Sequence, residues 1–186
     1  MIGSHNTMTY LPTKKWWMKL ISWTAKCQEV DIKEQYKLGV RWFDLRIRFS
    51  HEEPIFAHGL MEYNGGVEEI LDSLNNMSTE RDPIYVRILL EINKEDSTQE
   101  SLFYTYCGYW ELTFKNLKFT GGEAKYDWNK KVEFKNKECP RFDECYSSMP
   151  SDSTKLNDIF PKKWAKKYNE AARKLHTNVI LDFVNI

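Results

Sequence analysis

The chain has 186 residues, with 27 Lys and Arg against 27 Asp and Glu, a formal net charge of zero, 41% hydrophobic and 29% charged residues. Balanced charge excludes counterion release on nucleic acid as its main business, so no nucleic-acid partner is expected. The hydrophobic fraction excludes a disordered chain, and residues 1–186 read as one domain with a sizeable core.

In chain order, a short apolar start leads to His5, leaving almost no chain before that residue for a first strand. Trp16, Trp17, Leu20, Ile21 and Trp23 recur at helical spacing and predict a helix over Lys14–Ala25. Val40–Ile47 reads as a strand, with Trp42, Asp44 and Arg46 on one face and Phe43, Leu45 and Ile47 on the other. Pro54–Ala57 is a second short strand running into His58, and Gly66–Asn75 an amphipathic helix. Ile84–Glu91 is apolar along nearly its whole length, as a strand buried on both faces should be. Thr98–Thr113 reads as helix, Leu117–Phe119 and Val132–Phe134 as short strands, Leu156–Leu175 as a helix with a break at Pro161, and Asn178–Val184 as a last strand. Gly121–Ser153 reads as long loops over one face. The alternation predicts an α/β fold with a parallel sheet and a site at the carboxyl ends of its strands.

No apolar stretch reaches the roughly 20 residues of a transmembrane helix, and the opening residues lack the pattern of a signal peptide. The expected location is therefore cytoplasmic, unless a leader has been trimmed from a secreted protein. The four cysteines form no CxxC pair and alternate with no histidine, so no structural zinc is expected. Cys139 and Cys145 flank a short loop and suit either a disulfide or a reduced pair. No P-loop or Gly-rich phosphate fingerprint is present.

His5 in Gly3-Ser4-His5-Asn6-Thr7 and His58 in Phe56-Ala57-His58-Gly59 both sit at strand ends, with Arg46 between them in sequence. Two imidazoles and a guanidinium are what phosphoryl transfer by general acid–base catalysis requires. The run from Gly3 to Tyr10, then Gln35 with Gly39-Val40-Arg41-Trp42-Phe43-Asp44-Leu45-Arg46, then His58-Gly59, resembles the X-box of phosphatidylinositol-specific phospholipase C. The match spans about residues 1–91 and resumes at Ile180-Leu181-Asp182-Phe183.

The resemblance implies a small, incomplete or distorted TIM-barrel-like fold, since a full barrel needs at least about 200 residues. It implies that His5 takes the proton of the inositol 2-hydroxyl, that Asp182 holds the His5 tautomer, and that His58 protonates the departing diacylglycerol oxygen. Arg46 would steady the phosphate, standing where the calcium-dependent branch has a carboxylate, so no metal or cofactor is expected. Asp44 completes the expected catalytic set, with a structural Asp44–Arg46 ion pair as the alternative. Asn6 departs from the metal-independent pattern, which has Asp there to support the acid; either another carboxylate such as Asp44 or Glu91 substitutes, or the rate is lower, or the chain is a degenerate member.

Asn6, Glu91, Lys125 and Tyr126 are the candidate substrate contacts. The implied partner is a phospholipid or inositol phosphodiester. Trp16 and Trp17 are candidates for peripheral membrane contact, although Trp17, Leu20 and Ile21 also make a stripe suited to a core face. The competing functions are a headgroup-binding module with little or no turnover, and a glycerophosphodiester or sphingolipid enzyme. The latter generally needs a divalent cation, and Arg46 speaks against one.

Overall fold

A computed structural model describes residues 1–92, 96–120, 131–133, 145–146, 160–174 and 178–186. Its nine strands are β1 (Ile2–Ser4), β2 (Val40–Ser50), β3 (Glu53–His58), β4 (Met61–Glu62), β5 (Ile84–Glu91), β6 (Leu117–Phe119), β7 (Lys131–Glu133), β8 (Cys145–Tyr146) and β9 (Val179–Leu181). The helices are α1 (Met18–Ile21), α2 (Ile32–Lys37), α3 (Val67–Met77), α4 (Ser97–Thr113) and α5 (Pro161–Arg173). Parallel pairings run in the order β8-β9-β1-β2-β5-β6. Among the described residues β6 and β8 do not pair, so the sheet curves without closing into a barrel.

The sheet is mixed, which corrects the expectation of an all-parallel one. β2 pairs with β5 only as far as Ile47 and then continues to Ser50, antiparallel to β3. The link is a two-residue turn, His51-Glu52, both with positive φ (51° and 67°), the geometry whose twist suits a hairpin. β7 likewise lies antiparallel on the last residues of β5. A parallel pair needs a long crossover, which the two-residue link between β2 and β3 is too short to supply.

Strand alternation separates two environments. Phe43, Leu45 and Ile47 of β2 and Val86, Ile88 and Leu90 of β5 join Leu71, Leu74, Phe103, Cys107 and Trp110 of α3 and α4 in one apolar core. The opposite face of the same strands carries Trp42, Asp44, Arg46, Arg87 and Glu91, all buried. Gly3 permits this packing: a Cβ there would stand 2.8 Å from the Trp42 ring.

Two segments depart from the sequence reading. The expected helix over Lys14–Ala25 is a single α-helical turn, α1, followed by a 3-10 turn at Ser22–Thr24. Its stripe is not a core face: Met18 is the residue that turns inward, whereas Trp16, Trp17, Leu20, Ile21 and Trp23 are exposed. Helix α2 went unread because it spans only six residues, yet its ends are well marked. Asp31 caps it by accepting from the Glu34 N–H at 2.8 Å, and Gly39 follows in the left-handed region at φ 92°. Pro161 opens α5, where the missing N–H costs nothing. The expected loops across Gly121–Ser153 lie almost wholly outside the described residues, as do Lys125, Tyr126 and the proposed Cys139 pairing.

Candidate active site

His5 follows β1, Asp182 follows β9, and Asp44, Arg46 and Glu91 stand on β2 and β5. These are the carboxyl ends of parallel strands, where the backbone of an α/β sheet leaves room for a ligand. The chain turns away directly after both β1 and β9 through left-handed residues, Asn6 (φ 45°) and Phe183 (φ 48°). Two non-glycine residues in that region at one site mark backbone held by its surroundings.

Gln28 supplies much of that hold, and sequence reasoning missed it. Its buried amide donates to the carbonyls of His5 (3.1 Å) and Leu181 (2.8 Å) and accepts from the Val184 N–H at 3.1 Å. One side chain therefore ties together the segments that carry His5 and Asp182. Gln35, quoted in the sequence match without a role, ties the segment around His5 to the loop before α2. It accepts from Ser4 Oγ (2.6 Å) and donates to the carbonyls of Thr7 and Val30.

His5 Nδ1 stands 2.7 Å from Asp182 Oδ1. On its other edge, Nε2 faces Arg46 Nη2 at 2.7 Å and Asn6 Nδ2 at 3.1 Å, both donors. The proton therefore sits on Nδ1, pointing at Asp182, and Nε2 carries the lone pair. Burial lowers the His5 imidazole below its ordinary value of 6.5; Asp182 opposes that shift and Arg46 reinforces it. The group is a neutral imidazole with an oriented lone pair, the state a general base needs.

Arg46 donates through Nε (3.1 Å) and Nη2 (3.0 Å) to Asp44 Oδ2, and its Nη1 lies 3.6 Å from Glu91 Oε2. The Asp44–Arg46 pair thus exists as a buried ion pair, and the same guanidinium also reaches His5. Burial alone would raise the Asp44 carboxyl; Arg46, then Arg87 and His5, outweigh it and hold the group well below the usual carboxylate range. Asp44 Oδ2 also accepts the Asn6 N–H at 3.1 Å, fixing the turn after His5.

His58 is the more open of the two histidines, its ring centroid 6.4 Å from that of His5. Asn6 Nδ2 spans the gap, 3.3 Å from His58 Nε2. Glu91 Oε1 lies 3.3 Å from His58 Nδ1 and accepts the Gly59 N–H. The structure therefore brings together His5, Asn6, Asp44, Arg46, His58, Glu91 and Asp182. Trp16 and Trp17 stand on the exposed segment beside α1.

One neighbour had no signal in the sequence. The buried thiol of Cys27 accepts from Asn6 Nδ2 at 3.5 Å, and burial first, then the charge of Asp182, pushes it well above its ordinary value.

No protein-family model matches the chain, and no curated protein does. Solved structures do. A mutant of the phosphatidylinositol-specific phospholipase C of Staphylococcus aureus superposes with a TM-score of 0.64 at 16% identity, covering 98% of this chain and 84% of that one. The phosphatidylinositol-specific phospholipase C of Listeria monocytogenes gives 0.63 at 16% identity, covering 98% and 87%. A further S. aureus structure, concerned with modulation of that enzyme's membrane binding, gives 0.60 at 16% identity and 98% and 85% coverage. With its strand order, its mixed sheet and this breadth of superposition, the chain has the TIM-barrel-like fold of the bacterial phosphatidylinositol-specific phospholipases C, in a smaller and unclosed form.

Proposed function

We propose that residues 1–186 act as a single catalytic domain, a metal-independent phosphodiesterase that cleaves an inositol phospholipid by way of a cyclic inositol phosphate. The observation that carries this reading is the placement of His5 with Asp182 on its Nδ1 edge and Arg46 on its Nε2 edge. His5 Nε2 takes the proton of the inositol 2-hydroxyl as its oxygen forms a bond to phosphorus. The bond from phosphorus to the diacylglycerol oxygen breaks, and His58 gives that oxygen a proton. Arg46, which hydrogen-bonds His5 in the ligand-free centre, turns its guanidinium to the phosphate and so frees the Nε2 lone pair. Glu91, facing His58 Nδ1, supplies the supporting carboxylate from the edge opposite the one that residue 6 faces.

The exposed run Trp16, Trp17, Leu20, Ile21 and Trp23, flanked by Lys14, Lys15 and Lys19, supports peripheral contact with an anionic bilayer. Indole rings favour the interface, and each lysine near such a surface contributes about 1 kcal/mol.

A second reading, a headgroup-binding module without turnover, draws on Asn6, an amide where the metal-independent pattern has a carboxylate. A chromogenic inositol phosphodiester, assayed with and without chelator, separates the two. Turnover that survives chelator and falls about 10²–10⁴-fold in both His5→Ala and His58→Ala supports the enzyme. Binding without turnover supports the module, and near-normal turnover in either variant refutes the two-histidine mechanism.

A further inference from the structure

Arg48 has no part in the acid–base scheme, yet its guanidinium ends beside the residue that follows His58. β2 outruns its pairing with β5 at Ile47 and continues against β3, where Arg48 pairs with Ile55. Period two puts Arg48 on the face of Asp44 and Arg46, one step further along the strand. The residue is half-buried, and its Nη2 donates to the Gly59 carbonyl.

Gly59 is the first residue of a two-residue turn: His58 pairs with Met61, and Gly59 and Leu60 close the hairpin between β3 and β4. Its φ of 56° is the left-handed conformation that such a turn asks of its first central residue. A Cβ at Gly59 would meet nothing within 4 Å, so no packed neighbour confines the turn at that point. Two polar contacts hold it instead: the Gly59 N–H donates to Glu91 Oε1 on β5, and the Gly59 carbonyl accepts from Arg48 on β2. The hold matters because the His58 ring is loosely gripped. His5 has partners at 2.7 Å on both edges, whereas Asn6 and Glu91 stand 3.3 Å from the edges of His58, and its side chain is 23% exposed. The place of His58 therefore depends on its backbone.

We propose that Arg48 is a positioning residue for the reaction: by holding the Gly59 carbonyl it fixes the β3–β4 turn, and through the turn it fixes the imidazole of His58. Arg48 Nε is buried with no hydrogen-bond partner, a cost that an apolar side chain beside Ile55 would not carry, so packing of the hairpin does not account for a guanidinium there. Arg48 and Glu91 together do for His58 what Gln28 does for His5, tying the chain next to the imidazole to a neighbouring segment. The clamp stands on these hydrogen bonds alone; its catalytic consequence rests on the acid–base reading above.

The test compares Arg48→Met, which keeps an unbranched stem without donors, with Arg48→Lys, which keeps a donor. On a soluble inositol phosphodiester Arg48→Met is expected to lower kcat about 10–100-fold, the scale of a reacting group misplaced by about 1 Å, and to change KM by less than about twofold; Arg48→Lys is expected to recover most of the loss. In a His58→Ala background Arg48→Met is expected to cost less than about twofold more, since a residue acting through His58 has nothing left to position. An additive loss there, or a loss carried by KM, would place Arg48 on the phosphate or in the general fold and overturns the assignment. Amide exchange tests the clamp without turnover. The Gly59 N–H is expected to exchange about tenfold or more faster in Arg48→Met, while the Asn6 N–H, held by Asp44, keeps its rate. Unchanged exchange at Gly59, or equal acceleration at both amides, overturns the clamp. Should Arg48→Met fail to fold, guanidinium ¹⁵N spectra of the unaltered protein report the same contact: restricted Nη rotation at Arg48 supports it and free rotation overturns it. Faster exchange at Gly59 alone in a protein without turnover keeps the clamp and removes the acid–base reading; the same exchange with undiminished kcat removes only the catalytic consequence.

Discussion

Replacing Asp182 by Asn tests the catalytic geometry at the point where its electrostatics are simplest. The carboxylate lies 2.7 Å from His5 Nδ1, and both side chains are almost wholly shielded from water, at 2% and 6% exposed. When His5 takes a proton it becomes an imidazolium beside that carboxylate. Unit charges about 4 Å apart in an effective dielectric of about 20 attract by about 4 kcal/mol, which corresponds to roughly a thousandfold in rate. Asparagine removes this term and can also turn its N–H toward Nδ1, driving the proton to Nε2 and blocking the base; a comparable exchange in serine proteases costs about 10⁴. A soluble inositol phosphodiester should therefore show kcat reduced about 10³–10⁴-fold with KM changed only slightly, because Asp182 touches His5 and not the substrate. The pH profile gives the sign. Burial already lowers His5, and Asp182 is the largest opposing influence, so the variant's acid limb moves to lower pH. A loss under tenfold, or an acid limb that moves upward, would refute the assignment of His5 as base.

Turnover is expected to resist EDTA, and Arg46→Asp, which removes the guanidinium 2.7 Å from His5, to be either inactive or calcium-responsive. Strong inhibition of the unaltered protein by chelator would overturn that claim. Folding stability, followed by urea denaturation, should fall as pH drops below the ordinary 6.5 of histidine, because His5 is depressed in the folded state and the unfolded chain binds the extra proton. A further loss should begin below about pH 4, where the depressed Asp44 carboxyl becomes the proton-poor group of the folded state; a flat profile across both windows contradicts these burials. Trp16→Ala, at a ring 76% exposed, should weaken binding to anionic vesicles and turnover on lipid while sparing a soluble substrate. Equal loss on both substrates would show a structural role instead.

The strands were legible in the sequence wherever a residue's face had a chemical meaning. Period two separated Asp44 and Arg46 from Phe43, Leu45 and Ile47, and the structure puts the first pair on the polar interior and the second set against α3 and α4. Long β5 and the amphipathic α3 were readable for the same reason. The aromatic run after Lys14 misled because helical spacing measures periodicity, not which side the core lies on. There Met18, not the tryptophans, is buried, and only one helical turn forms. Within the site, the histidines, Arg46 and Asp182 were found from the ordered motif. Gln28 and Cys27 were not, because a buried clamp and a neighbouring thiol are defined by spatial contact between the ends of β1 and β9, and nothing local in Lys26-Cys27-Gln28-Glu29 announces it.

Asn6 is the residue at which pattern and structure must be weighed together. A carboxylate in its place would lie about 3 Å from both imidazoles, given the 3.1 and 3.3 Å reach of the present amide. It would also be attached to a residue whose backbone N–H already binds Asp44, bringing a second negative charge toward a buried one. The amide keeps the bridge between the histidines and the left-handed turn, which Asn tolerates better than most residues, without that repulsion. The charge that the amide lacks is present on the opposite side of His58, where Glu91 lies 3.3 Å from Nδ1 and is itself fixed by the Gly59 N–H and by Arg46. Arg46 therefore lies between two carboxylates, Asp44 and Glu91, and next to the base. On the acid–base scheme proposed above, a phosphate arriving at that guanidinium would loosen its hold on His5 and on Glu91 together, freeing the lone pair of His5 and the carboxylate beside His58 in one movement. On that scheme the departure at position 6 would relocate the support of His58 from the residue after His5 to the end of β5.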